Sequence, residues 1–270
     1  MLDSHAAKSG FSLVELSIVL VILGLLTGGI LAGQSLIRAA ELRAVTTEYS
    51  LYITAVQSFR DKYFALPGDM TNATAFWGDD NTNCADAAVT NGTPGTCNGD
   101  GNGQVIQAPA ASTTGETFRF WQHLALAGLI EGTYTGQAGA GTLNPGADSI
   151  LGTNVPRSKL SNSGWASFYW GNSAGDANTY AGDFGNLMVM GAAFSGNYPV
   201  NAALRPEEAW NIDTKVDDGK PATGKMWVRD STGFGTATAC TTSANATAYT
   251  GLYNLTNTAI ACSPWFIKAY

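Results

Sequence analysis

From Phe11 to Leu31 the chain reads FSLVELSIVLVILGLLTGGIL, about 21 residues with one charge, Glu15. A helix needs roughly 20 apolar residues to cross the hydrocarbon of a bilayer, so the run is long enough to enter a membrane. Two plain readings are a secretory signal cut near Ala32–Gly33 and an ordinary membrane anchor. Neither accounts for Glu15. A carboxylate inside an apolar helix costs about 3 kcal/mol, so it needs a partner of opposite sign.

Gly10-Phe11-Ser12-Leu13-Val14-Glu15 resembles the cleavage and methylation motif of type IV prepilins. The short stretch Met1 to Gly10, with Lys8 beside the cut, resembles their leader. The resemblance implies that prepilin peptidase cuts after Gly10 on the cytoplasmic side and methylates the new terminus, Phe11. Glu15 is then the fifth mature residue, about one helical turn from the Phe11 amine. Glu15 of an incoming subunit would pair with the Phe11 amine of a subunit already in a filament. A paired charge in low dielectric costs far less than a lone one, so this pair would set the axial register of assembly. The resemblance also implies partners: other pilin or pseudopilin subunits and an inner-membrane assembly platform with its ATPase. It implies a single-pass inner-membrane location with the amino terminus cytoplasmic and the head periplasmic, before entry into a filament.

Beyond the apolar run, Leu42, Val45, Tyr49, Tyr52, Val56, Phe59 and Tyr63 recur at spacings of three and four, one stripe of a continuing helix. Arg38, Glu41, Arg43, Glu48 and Arg60 mostly fall off that stripe. The helix should end by Ala65, because Leu66 precedes Pro67 and Gly68. Phe11 to Phe64 would then span roughly 80 Å. Gly24-Gly28 and Gly29-Gly33 have the GxxxG spacing of close helix packing. They are equally a weak stretch, since each glycine costs about 1 kcal/mol relative to alanine. Type IV pilins often carry a proline here, and this chain has Ala32 where it would fall.

The expected organisation is a leader over 1–10, a long helix over 11–65 with its membrane segment at 11–31, and one head over 66–270. Glu116 to Ile130 reads as an amphipathic helix with Phe118, Trp121, Leu124 and Ala125 inward. Ala203 to Ile212 reads as a short helix with Pro206 in its first turn. Strands are expected at Ser167–Trp170, Leu187–Phe194, Met226–Arg229 and Trp265–Tyr270. A long helix followed by such strands fits a pilin-like head: α+β, with the helix packed on an antiparallel sheet. Leu66-Pro67-Gly68-Asp69 and the run from Asp213 to Gly219 also look like features of large pilin-like proteins.

Four cysteines, Cys84, Cys97, Cys240 and Cys262, lie beyond the membrane-entry signal. An even count there points to disulfides in an oxidising compartment, with three connectivities possible. Joining sequence neighbours is the simplest, and each such bridge contributes on the order of 3 kcal/mol. The second would resemble the C-terminal loop closure of many pilins. Zinc is disfavoured, because no CxxC pair exists and His5 and His123 are the only histidines.

The net charge of −7 argues against nucleic-acid binding through a general basic surface. Charges cancel over residues 1–64, so the acidity belongs to the head. Gly171-Asn172-Ser173-Ala174-Gly175 matches a nucleophile elbow, but no periodic helix follows and no histidine comes after His123. A turn is expected instead. After Cys97, Asn98, Asp100 and Asn102 alternate with glycines as in the first half of a calcium loop, though Pro109 stands at position twelve. A Cys84–Cys97 bridge would bring Asp79 and Asp80 towards Asp100 and Asn102, giving a calcium candidate set. A flexible Asn/Gly surface loop explains the same residues. Asp213, Asp217 and Asp218 form a second acidic cluster. No other cofactor is expected.

The function expected is a structural subunit of a type IV pilus or a type II secretion pseudopilus, not an enzyme. Glu15 argues against the tip pseudopilin, which lacks that glutamate. The other class is a minor subunit whose head binds a surface, DNA or a secreted substrate, which exposed aromatics in a head loop would favour.

Overall fold

The first helix carries two different surfaces, and the fold follows from them. The computed structural model describes residues 12–80, 84, 95–107, 115–141, 143–144, 146–175, 179–230, 239–243 and 247–270. The chain divides into two compact units, Met1–Glu41 and Leu42–Tyr270, and helix α1, Leu13–Tyr63, contributes to both.

In the first unit every large apolar side chain from Leu13 to Leu31 is at least 50% exposed. This helix is long and apolar enough to cross a membrane. Helix runs unbroken through Gly24, Gly28, Gly29 and Gly33, and a methyl group at any of them would meet nothing within 4 Å. Within this single chain, those glycines answer to no neighbour.

In the second unit Val45, Tyr52, Val56 and Phe59 of α1 are buried, and Leu42, Tyr49 and Tyr63 pack half-buried beside them. The expected stripe is the core face. Burying each such side chain is worth about 2 kcal/mol. Helix α1 stops at Tyr63: Phe64 turns to φ +56°, its amide still bonded to the Arg60 carbonyl at 2.8 Å, and Pro67 follows.

Helix α2 is one turn, Thr74–Trp77, and α3 runs Glu116–Leu126. Strands β1, Ser163–Ser173, and β2, Gly182–Ala192, form a long antiparallel pair. Helix α4, Pro206–Val216, follows, with Pro206 in its first turn and the Glu208 side chain accepting the Arg205 amide at 2.9 Å. Strands β3, Met226–Asp230, and β4, Cys262–Phe266, complete an antiparallel sheet ordered β1-β2-β4-β3. The fold is α+β, with the long helix packed on that sheet. Tyr49 stacks on Phe266 of β4 at 4.1 Å between centroids, and Tyr52 meets Trp165 of β1 and Trp121 of α3 edge-on.

Several sequence expectations are corrected: the last strand is Cys262–Phe266 rather than Trp265–Tyr270, and α4 is Pro206–Val216 rather than Ala203–Ile212. Helix α3 ends at Leu126, not Ile130, because Gly128 takes φ +71° and the Gly128 and Leu129 amides turn back to the Ala125 and Leu124 carbonyls. Nor is α3 amphipathic in effect: Phe120, Arg119, Gln122 and His123 are buried as well as Phe118, Trp121 and Leu124, while Ala125 is half-buried. The GNSAG stretch is not a turn throughout, since Gly171 to Ser173 extend β1.

Candidate functional site

The start of α1 and the acidic loops of the head hold the residues singled out by sequence. Gly10 and Phe11 lie outside the described residues. Ser12 and Glu15 form a reciprocal cap: the Ser12 amide donates to Glu15 Oε2 at 2.9 Å and the Val14 amide to Ser12 Oγ at 3.3 Å. Helix starts leave their first amides without partners, and an S-x-x-E spacing satisfies two of them. Glu15 therefore has a local use within one chain. The spacing was legible in the sequence, but it was read only for the charge.

Disulfides join Cys84 to Cys97 and Cys240 to Cys262. Around the first bridge the calcium candidates separate. Asp80 Oδ2 takes Arg119 Nη2 at 3.4 Å and Gln137 Nε2 at 3.3 Å, and Asp79 sits one residue away, buried. The guanidinium thus supplies positive charge where a cation was expected. Asp100 gathers instead with Asp69 and Glu116, one oxygen of each within 4.8 Å of the others. The set Asp79, Asp80, Asp100, Asn102 does not assemble among the described residues.

Loop amides fill the Asp69–Asp100–Glu116 group. Asp69 accepts the Asn102 and Gly103 amides at 3.0 and 2.9 Å, and Glu116 accepts those of Asp100 and Ile106, both at 2.9 Å. Asp100 accepts the Asn102 amide and side chain. These bonds favour the charged form of Glu116, but burial outweighs them and pushes its carboxyl up to about 7. Asp69 is raised too, again chiefly by burial. Asp69 and Glu116 were not in the sequence candidate set; Asp69 stood out only within its Leu-Pro-Gly-Asp phrase. Gly68 of that phrase, at φ +86°, lies so close to α3 that a Cβ would come 2.6 Å from the Glu116 carbonyl oxygen.

Burial pushes His123 down to about 3, so it is neutral. Its Nδ1 accepts the Gly68 amide at 2.9 Å, which leaves the proton on Nε2, facing Thr96 Oγ1. The Thr96 hydroxyl donates in turn to Gln122 Oε1 at 2.7 Å. His123 thus ties α3 to the segments after α1 and before Cys97. Ser173, the serine of the elbow-like stretch, accepts the Gly175 amide at 3.1 Å.

In the second acidic cluster Asp213, Asp217 and Asp218 converge at the end of α4.

Residues 5–31 match the family described as prokaryotic N-terminal methylation motif. The chain carries the type IV pilin and pseudopilin signature. The match spans the expected cleavage site, the capped start of α1 and the exposed apolar run, so the pilin signature and the membrane-compatible helix are one continuous segment. Comparison with curated proteins and with solved structures returns no match.

Proposed function

We propose that the chain is a building block of a filament assembled from the inner membrane, of the type IV pilus or type II secretion kind. The observation that carries this is the methylation motif over residues 5–31 running directly into an exposed apolar helix with Glu15 in its first turn. Prepilin peptidase removes residues 1–10 and methylates Phe11. The apolar half of α1 holds the subunit in the inner membrane, with residues 66–270 as a periplasmic head. An assembly platform then draws it into the filament, where Glu15 exchanges its own Ser12 amide for the Phe11 amine of a neighbour. That exchange replaces a neutral donor with a cation, which strengthens the bond in a low dielectric. Phe64, 92% exposed, and Phe76, 56% exposed, are apolar surface open to a neighbouring subunit or to a partner of the head.

Mass spectrometry of the mature amino terminus, from native membranes or sheared filaments, tests the reading. It expects a start at methylated Phe11. A start near Gly33, with the apolar segment gone, would overturn it.

A further inference from the structure

The end of α4 is built against ordinary helix electrostatics. The negative end of a helix dipole normally attracts lysine or arginine. Here three carboxylates crowd it: Asp213 in the last turn, Asp217 at the C-cap and Asp218 next. One oxygen of each lies within 4.8 Å of the others. No lysine or arginine forms an ion pair with any of them among the described residues; Lys215, in the same turn, is exposed.

A second observation is independent of the crowding. Asp213 is wholly buried, its Oδ2 accepts the Tyr253 hydroxyl at 2.7 Å, and its buried Oδ1 has no hydrogen-bond partner. The Gly219 amide also faces this carboxyl, but no bond of ordinary geometry reaches Oδ1. Leaving a buried acceptor empty is costly, more so for a charged group.

The loop meanwhile fixes the other two carboxylates. Asp217 Oδ2 accepts the Lys225 and Met226 amides, and Asp218 accepts the Lys220 amide at 2.9 Å and the Thr223 hydroxyl at 2.5 Å. Asp217 Oδ1 takes no hydrogen bond among the described residues. The chain from Asp213 to Met226 thus folds back so that three carboxylates share one neighbourhood.

We propose that Asp213, Asp217 and Asp218 hold a divalent cation of the calcium class, which fastens the end of α4 to the start of β3. Calcium takes oxygen ligands in flexible number, so three carboxylates with water completing the shell suit it. The ion supplies the partner that Asp213 Oδ1 lacks and offsets the three-fold negative charge. The site lies apart from the amino-terminal signature and does not depend on filament assembly.

The test uses the full-length protein in detergent, stripped with a chelator and titrated with calcium chloride alone. Calorimetry should show one ion per chain, with an affinity on the order of 10⁻⁴ M. The thermal midpoint should rise by roughly 5 °C at a hundredfold excess over the dissociation constant. Asp218 is exposed, so Asp218→Asn leaves packing intact and should weaken binding by about tenfold or more. Asp213→Asn should abolish it, and Glu116→Gln, in the other cluster, should leave it unchanged. Absence of heat and of a thermal shift up to about 10 mM calcium would overturn the proposal. So would binding that survives Asp218→Asn and Asp213→Asn, or binding lost in Glu116→Gln alone.

Discussion

Glu48 of α1 accepts a hydrogen bond from the Trp165 indole Nε1 of β1 at 2.8 Å, 117 residues away in sequence. The same carboxylate takes the Ser158 hydroxyl at 2.7 Å and the Lys159 amide at 2.8 Å, and Glu48 is only 8% exposed. This is a polar lock between the long helix and the sheet, set among the apolar contacts of Tyr49 and Tyr52.

Removing that acceptor strands the buried Trp165 donor and takes a partner from the Ser158 hydroxyl and the Lys159 amide nearer the surface. Glu48→Ala should therefore lower the unfolding free energy of the full-length protein by about 3 kcal/mol. Glu48→Gln keeps one acceptor but aims an amide at a donor, and should cost about 1–2 kcal/mol. Denaturant titration in detergent measures both. A loss below about 0.5 kcal/mol for Glu48→Ala, the size of an ordinary surface change, would show that the lock contributes nothing.

The two disulfides should not be equivalent. Loop closure alone gives about 3 kcal/mol for each. Cys240 and Cys262 are both fully buried, and the Cys262 carbonyl accepts the Ala203 and Leu204 amides, whereas Cys84 is half-buried. Replacing Cys240 and Cys262 together by alanine should lower the thermal midpoint by about 10 °C. The Cys84/Cys97 double variant should lose less, because it opens a smaller hole in the core. Equal losses, or a larger one at Cys84/Cys97, would contradict this ranking.

A half-buried group, Glu116, and a buried one, His123, pull the pH dependence in opposite directions. Glu116 ionises in the folded chain near 7, above its ordinary 4.5. The folded state therefore holds the proton more tightly, and this contribution to stability is full below pH 4.5 and lost as pH rises through about 7. His123 is depressed from 6.5 to about 3, so its contribution is full above 6.5 and lost as pH falls towards 3. Glu116→Gln removes the first trend alone. In chelator at fixed ionic strength, the deficit of Glu116→Gln against the parent should be largest near pH 4.5 and shrink by pH 8. A deficit that stays constant with pH would mean that Glu116 ionises normally.

Much of the second unit was legible because its periodicity is strong. The Leu42–Tyr63 stripe, three of the four strand positions and the start of α3 show in the pattern; the last strand is Cys262–Phe266 and shares only Trp265 and Phe266 with the expected Trp265–Tyr270. What was missed has physical reasons. Residues 117–124 of α3 are all buried, so its polar residues Arg119, Gln122 and His123 are inside, bonded to one another and to loop segments. A periodicity argument expects one wet face and has no means of seeing this. The β1–β2 pair runs longer than expected because its glycines, read as turn signals, sit within strands. Gly171 is one: expected in a turn, it lies within β1. Sequence proximity to a cysteine suggested that Asp79 and Asp80 would meet Asp100, but Arg119, from a helix far along the chain, takes Asp80 instead. Glu48 was placed off the apolar stripe by its charge, yet it is buried, because a carboxylate with three donors tolerates burial.

The sharpest test separates the two uses of Glu15. As a cap it needs only an acceptor, and glutamine at that position serves as well as glutamate. As the register pair with the Phe11 amine it needs a negative charge. Glu15→Gln should keep α1 capped and the chain cleaved and stored in the membrane, while filament yield falls by about tenfold or more, as it does for Glu15→Val. Immunoblots of membrane and sheared-filament fractions from the same cells read both quantities. Normal filaments from Glu15→Gln with none from Glu15→Val would make Glu15 a helix cap and remove the ion pair from the assembly mechanism. Normal filaments from both would leave the glutamate with no part in assembly at all.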